Sequence, residues 1–202
     1  MKSLSLLFSI IITFALYSCK TTKEFYKDFN AESLTGREPN ADVFIVKKDG
    51  TKISGHQLTH SKTSAFNTNE QKEWTAVDGQ KVIDKEIEVV QSEKAYSALY
   101  RRKRDKAEWM VDRLRYGKIS LYTYEETATD HDVRGNYHLY VYQKGNESLD
   151  EVTFNNLMNA VSDNPVASQK LKELYPNSKI PLHNEKGNLR NLIAIVELYN
   201  TK

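Results

Sequence analysis

Hydrophobic and polar positions divide the chain into three regimes. Leu4 to Leu16 is an apolar run diluted only by Ser5, Ser9 and Thr13. From about residue 42 to 143 apolar residues fall in short strand-like runs between turn signals, and at Ile119–Tyr124 and Tyr137–Gln143 they recur with period two, the spacing of half-buried strands. From about residue 150 to 200 they recur at helical spacing.

Val43-Phe44-Ile45-Val46 reads as a first strand, and Asp49-Gly50 supplies residues that tolerate positive φ at a tight turn. Thr51 to Leu58 returns as the second strand. A second Asp-Gly, Asp78-Gly79, sits between Trp74–Val77 and Lys81–Ile83 and predicts another hairpin. The polar stretch Ser61–Glu73 reads as loop. Ile87-Glu88-Val89-Val90 is a further short strand. Ile119, Leu121 and Thr123 alternate with Ser120, Tyr122 and Tyr124. Tyr137, Leu139 and Val141 likewise alternate with His138, Tyr140 and Tyr142. This pattern predicts a sheet with one buried face and one half-wet aromatic face.

Phe154, Leu157, Met158 and Val161 line one helical face, with Asp150-Glu151 as charges suited to a helix N-terminus. Asn164 and Pro165 look like the cap and first position of a second helix through Leu171 and Leu174, stopped by Tyr175-Pro176. Leu189, Leu192, Ile193 and Val196 repeat the spacing, with Asn188 as the expected cap. The fold expected is α+β: one domain over 41–202, an antiparallel twisted β-sheet followed by two or three short C-terminal helices.

The apolar run changes the picture of the N-terminus. Lys2, then the run, then Ser18 before Cys19 is the order of a secretory signal peptide. The run is short of the roughly 20 apolar residues a membrane span needs. Leu16-Tyr17-Ser18-Cys19 resembles the lipobox of bacterial lipoproteins. That resemblance implies a signal peptide over 1–18, cleavage between Ser18 and Cys19, and lipid attachment at Cys19. The acylated Cys19 would then bind the lipid bilayer, and residues 19–40 would be a tether. Two or more acyl chains hold a protein stably at a membrane, whereas one does not. No acidic residue directly follows Cys19, and Glu24 lies among Lys20 and Lys23. By that resemblance the location expected is the outer membrane, on its periplasmic face.

Cys19 is the single cysteine, so no disulfide within the chain is expected. Removing residues 1–18 takes out Lys2 and no acid, so the formal charge falls from +2 to about +1. That balance argues against a general nucleic-acid binder.

The most distinctive chemistry is a basic run, Arg101-Arg102-Lys103-Arg104, with Tyr100, Trp109 and Tyr116 around it. Guanidinium forks bind phosphate and carboxylate, which makes these four residues the candidate anion-binding site. The plain alternative is a solvated hairpin loop whose cations meet Asp105, Glu108 and Asp112. The partner expected is an anionic envelope component or another envelope protein. No metal site, catalytic residue or cofactor is assigned. His131 has ligand-type neighbours in Asp130 and Asp132, but metal sites need three or four converging ligands. His56 and His60 are not placed on one helix face. No Gly-x-Ser-x-Gly elbow or glycine-rich phosphate loop occurs. The runner-up reading is an envelope hydrolase with a site near His131 or His138.

Gly117-Lys118-Ile119 running into Leu121-Tyr122, the Tyr-rich strand from Tyr137, Asp163-Asn164-Pro165 and the late Tyr199-Asn200 form a recurring layout. It resembles a group of Bacteroidota envelope lipoproteins. The resemblance implies the fold layout and no activity.

Overall fold

The computed structural model describes residues 36–37, 42–64, 71–93, 95–127, 136–181 and 186–201. The fold is α+β: an eight-stranded antiparallel sheet, a small three-stranded sheet, and three helices after the strands.

β1 (Val43–Lys47) and β2 (Lys52–Gly55) form the first hairpin, with Gly50 at φ 85° in its turn. β3 (Leu58–Ser64), β4 (Gln71–Val77) and β5 (Gln80–Ile83) make the small sheet. At the β4–β5 turn Asp78 (φ 47°) and Gly79 (φ 85°) both take the left-handed backbone of a tight hairpin. A 3-10 turn, Asp84–Glu86, leads into β6 (Ile87–Gln91). Then come β7 (Tyr96–Arg101), β8 (Glu108–Arg115), β9 (Ile119–Thr127), β10 (Asn136–Lys144) and the short β11 (Asp150–Glu151). The large sheet has the order β11-β10-β9-β8-β7-β6-β1-β2.

Several sequence expectations need correction. Thr51–Leu58 is not one strand. The chain bends at His56 and Gln57, whose amides both donate to the Asp78 carboxylate, at 3.0 and 2.9 Å. Two bonds to one side chain turn the chain out of the large sheet and into the small one. Much of the predicted loop 61–73 is strand instead, because backbone pairing from Leu58–Val77 to Ser64–Gln71 satisfies its polar groups without apolar alternation. β7 and β8 were not foreseen as strands. Asp150-Glu151 pairs with Val141 and Tyr142 as an edge strand rather than starting a helix.

The Tyr-bearing face is also not half-wet. Tyr100, Tyr122 and Tyr124 form a closed cluster with Ala98, Val111 and Val141. Their rings stack on neighbours across strands. Trp109 lies 5.3 Å from Tyr124 and 6.4 Å from Tyr100, the separations aromatic pairs favour. The second core sits between the sheets, where Val43, Ile45 and Ile87 meet Val77 and Val82.

The helices are α1 (Phe154–Val161), α2 (Pro165–Leu174) and α3 (Lys186–Asn200). Thr153 caps α1 by accepting from the Asn156 amide. Asn164 caps α2, accepting from the Val166 and Ala167 amides with Pro165 in the first turn, as its sequence predicts. Asn188 is not a cap. It lies inside α3, buried, where its side chain accepts from the Tyr175 hydroxyl and donates to the Pro181 carbonyl. α3 packs on β9, whose Ile119 and Leu121 are fully buried. Among the described residues no helix is long and apolar enough to cross a membrane.

Candidate functional site

The basic run falls at the β7–β8 turn, and its four cations have four different settings. Arg101 ends β7. Its guanidinium donates to both oxygens of Glu88, at 2.9 and 2.7 Å, and to Glu108 at 2.9 Å. Lys48 meets the same Glu108 at 2.8 Å. This four-residue network holds the Arg101 guanidinium firmly charged; the hydrogen bonds it donates to Glu88 are the main cause.

Arg102 points inward and is only 7% exposed. Its guanidinium carbon lies 4.4 Å from the Trp109 ring centroid, at the end of the aromatic cluster. It also donates to the Asp105 carboxylate. The backbone closes around this fork. The Arg102 amide donates to the Ala107 carbonyl, and the Lys106 amide donates to the Arg102 carbonyl, both at 2.9 Å. Lys106 takes a left-handed backbone, φ 57°, to complete the turn. The hydrogen bonds from Arg102 pull the Asp105 carboxyl down to about 2, helped by the Ala107 amide.

Lys103 reaches across to Asp150 of β11 at 3.0 Å. Arg104 is mostly exposed, and among the described residues its ion pair is a loose one, 3.9 Å from Asp105. Lys106 is exposed beside it. The four predicted anion-binding residues are therefore neighbours in sequence but not one surface. Arg102 belongs to the core, Arg101 to a charge network, and Lys103 to the edge strand. Arg104 and Lys106 are left as the outward cations of a preformed loop.

The sequence missed the partners Glu88, Lys48 and Asp150, which other strands bring in and no local spacing announces. The Arg102–Asp105 pairing was readable from its three-residue spacing, but not that Arg102 would be the buried member.

The remaining candidates are dispersed. Cys19, Ser18 and His131 lie outside the described residues. His138 is buried on β10, at 5% exposure. His56 serves the bend at Asp78 through its backbone. His60 Nδ1 lies 3.2 Å from the Thr75 hydroxyl, which donates to Asp84 at 2.9 Å. Among the described residues no group of three or more His, Cys, Asp or Glu could hold a metal ion.

A polar cavity of about 270 Å³ lies where α2 ends, lined by Tyr175, Asn177, Lys179, Pro181, Asn188 and Asn191. Burial pushes the Tyr175 phenol up to about 12. Its Tyr175 and Asn188 groups satisfy each other.

No family model, curated protein or solved structure matches the chain.

Proposed function

We propose that this protein is a lipid-anchored module of the cell envelope, tethered through Cys19 at the periplasmic face of the outer membrane. It engages an anionic envelope component through the outer rim of the β7–β8 turn. The observation that carries the binding half is the closed Arg102–Asp105 turn. It presents Arg104 and Lys106 to solvent on a loop already ordered by backbone bonds. An ordered loop loses little conformational freedom on binding. The anchoring half is supported by the Leu16-Tyr17-Ser18-Cys19 sequence.

Two measurements test the two halves. Intact mass of the N-terminal peptide, from wild type and from Cys19→Ala, reads the anchor. A lipid-modified peptide starting at Cys19 is expected, and an unmodified thiol in a soluble protein overturns it. For binding, detergent-solubilised full chain is passed over immobilised lipopolysaccharide and over isolated peptidoglycan, at low and physiological salt. The Arg104→Ala/Lys106→Ala variant should bind about fivefold more weakly, from two exposed ionic contacts of about 0.5 kcal/mol each. Binding to neither surface, or equal binding by the variant, would sink the anion reading.

A further inference from the structure

The strand β8 carries an irregularity between Arg113 and Arg115, where the pairing with β9 shifts register. Such a bulge takes a residue out of the regular ladder. Here the Arg113 carbonyl accepts from the Gly36 amide at 3.1 Å. The Arg113 side chain returns the contact, its Nε donating to the Gly36 carbonyl. Gly36 is thus gripped on both its backbone groups by one residue, 77 positions away in sequence.

The grip is built into the core. Arg113 is 5% exposed. Its guanidinium carbon sits 3.4 Å from the Tyr96 ring centroid and 4.7 Å from that of Tyr116. Gly36 itself is buried. A Cβ on it would fall 2.1 Å from the Arg113 carbonyl oxygen, which no side chain tolerates. The next residue adds a bond, Arg37 Nη1 donating to the Glu93 carbonyl at 3.2 Å.

We propose that Gly36, Arg37 and Arg113 form a bracket that ends the membrane tether. The bracket rests on the reading of Cys19 as a lipid anchor for its role, though not for its geometry. The chain is fastened before its first strand begins at Val43. Only residues 20–35 then separate Cys19 from the bracket, rather than the tether running through 19–40, and that length of chain spans at most about 55 Å at about 3.4 Å per residue. Pull from the anchor is delivered to β8, which has three strands on one side and four on the other. Without the bracket the pull would fall on β1, one strand from the sheet edge. A central strand yields only when its neighbours on both sides yield.

Tryptic cleavage of the Arg37–Glu38 bond tests this in the full-length protein, in membranes and as Cys19→Ala. The rate is referred to the same bond in urea-unfolded chain. Amide exchange at Gly36 is read in parallel. Wild type should cut at least tenfold more slowly than the unfolded reference, with the Gly36 amide protected. Gly36→Ala should bring cleavage within about threefold of the reference while the domain's thermal midpoint holds. Arg113→Lys, which keeps the charge but lacks Nε–H, should do the same more weakly. Wild-type cleavage at the reference rate, or no response to Gly36→Ala, overturns the bracket. A protected Arg37 in a wild-type chain whose Cys19 proves to carry no lipid leaves the bracket standing and overturns its role as a tether stop.

Discussion

Asn200 meets Ile119 as a neighbouring strand would. Its side-chain Oδ1 accepts from the Ile119 amide and its Nδ2 donates to the Ile119 carbonyl, both at 2.9 Å. One side chain thereby satisfies both backbone groups of a fully buried residue, across 81 positions of sequence. Asn200→Ala leaves a buried donor and acceptor without this partner and should cost about 2 kcal/mol, at about 1 kcal/mol per bond. A urea titration reads this as a lower midpoint with an unchanged slope. An unchanged midpoint would show that water replaces the amide without loss.

Gly117 leaves room for that amide. A Cβ there would lie 2.3 Å from Asn200 Nδ2. Gly117→Ala should destabilise by an amount that does not add to the Asn200→Ala loss, because both remove the same pair of bonds. Full additivity in the double variant would show that Gly117 serves something else.

Arg102 and Arg104 should separate cleanly. Arg102→Ala removes a buried guanidinium from Trp109 and frees Asp105, and should lower stability by about 2 kcal/mol and shift Trp109 emission. Arg104→Ala should stay within about 0.5 kcal/mol of wild type. Equal losses would mean that the buried setting of Arg102 carries no energy.

Alkali should unfold the protein in a defined window. Burial holds the Tyr175 phenol up to about 12, and raises those of Tyr100 and Tyr142 for the same leading reason. Each group binds its proton more tightly folded than unfolded. Its contribution is complete below the ordinary value of 10 and is lost as pH climbs through the folded value. Phenolate absorbance should therefore lag for these tyrosines and rise together with loss of circular dichroism. A smooth titration near 10 with the fold intact would show that the rings are wet.

Acid acts in the opposite sense. The carboxyls of Asp105 and Asp78 are held low, by Arg102 and by the Gln57 and His56 amides. Their support is present above the ordinary carboxyl value of 3.8 and fades as pH falls below it. Asp78→Asn should remove the response that belongs to the bend, leaving a flatter stability profile below about pH 4. A profile that stays as steep would place the acid sensitivity elsewhere.

The two hairpins and the cap of α2 were legible because each rests on adjacent residues: Asp49-Gly50, Asp78-Gly79, Asn164-Pro165. The α+β order was legible because the apolar period changes near residue 150. β7 and β8 were hidden because their outward faces are charged, with Arg101, Glu108 and Asp112 pairing across strands. The alternation of Tyr122 and Tyr124 with Leu121 and Thr123 was visible, but not that both faces would be covered. Cover comes from distant segments. The short motifs of the late chain likewise gain meaning only in three dimensions. Tyr199 donates to Asp163 at 2.9 Å, Asn164 to the Leu198 carbonyl at 3.3 Å, and Asn200 reaches Ile119 beside Gly117. Those motifs clasp α3 to the α1–α2 junction and to the sheet.

The bend at His56 and Gln57 has a consequence for solubility. β2 is one of the two outer strands of the large sheet and is short, four residues. Were the Asp78 carboxylate absent and the bend straightened, β2 and β3 would run on as one long edge with open amides and carbonyls. Long open edges are templates for pairing with another copy. One aspartate thus works as a gatekeeper, and its loss should show as aggregation during folding in addition to a lower melting point.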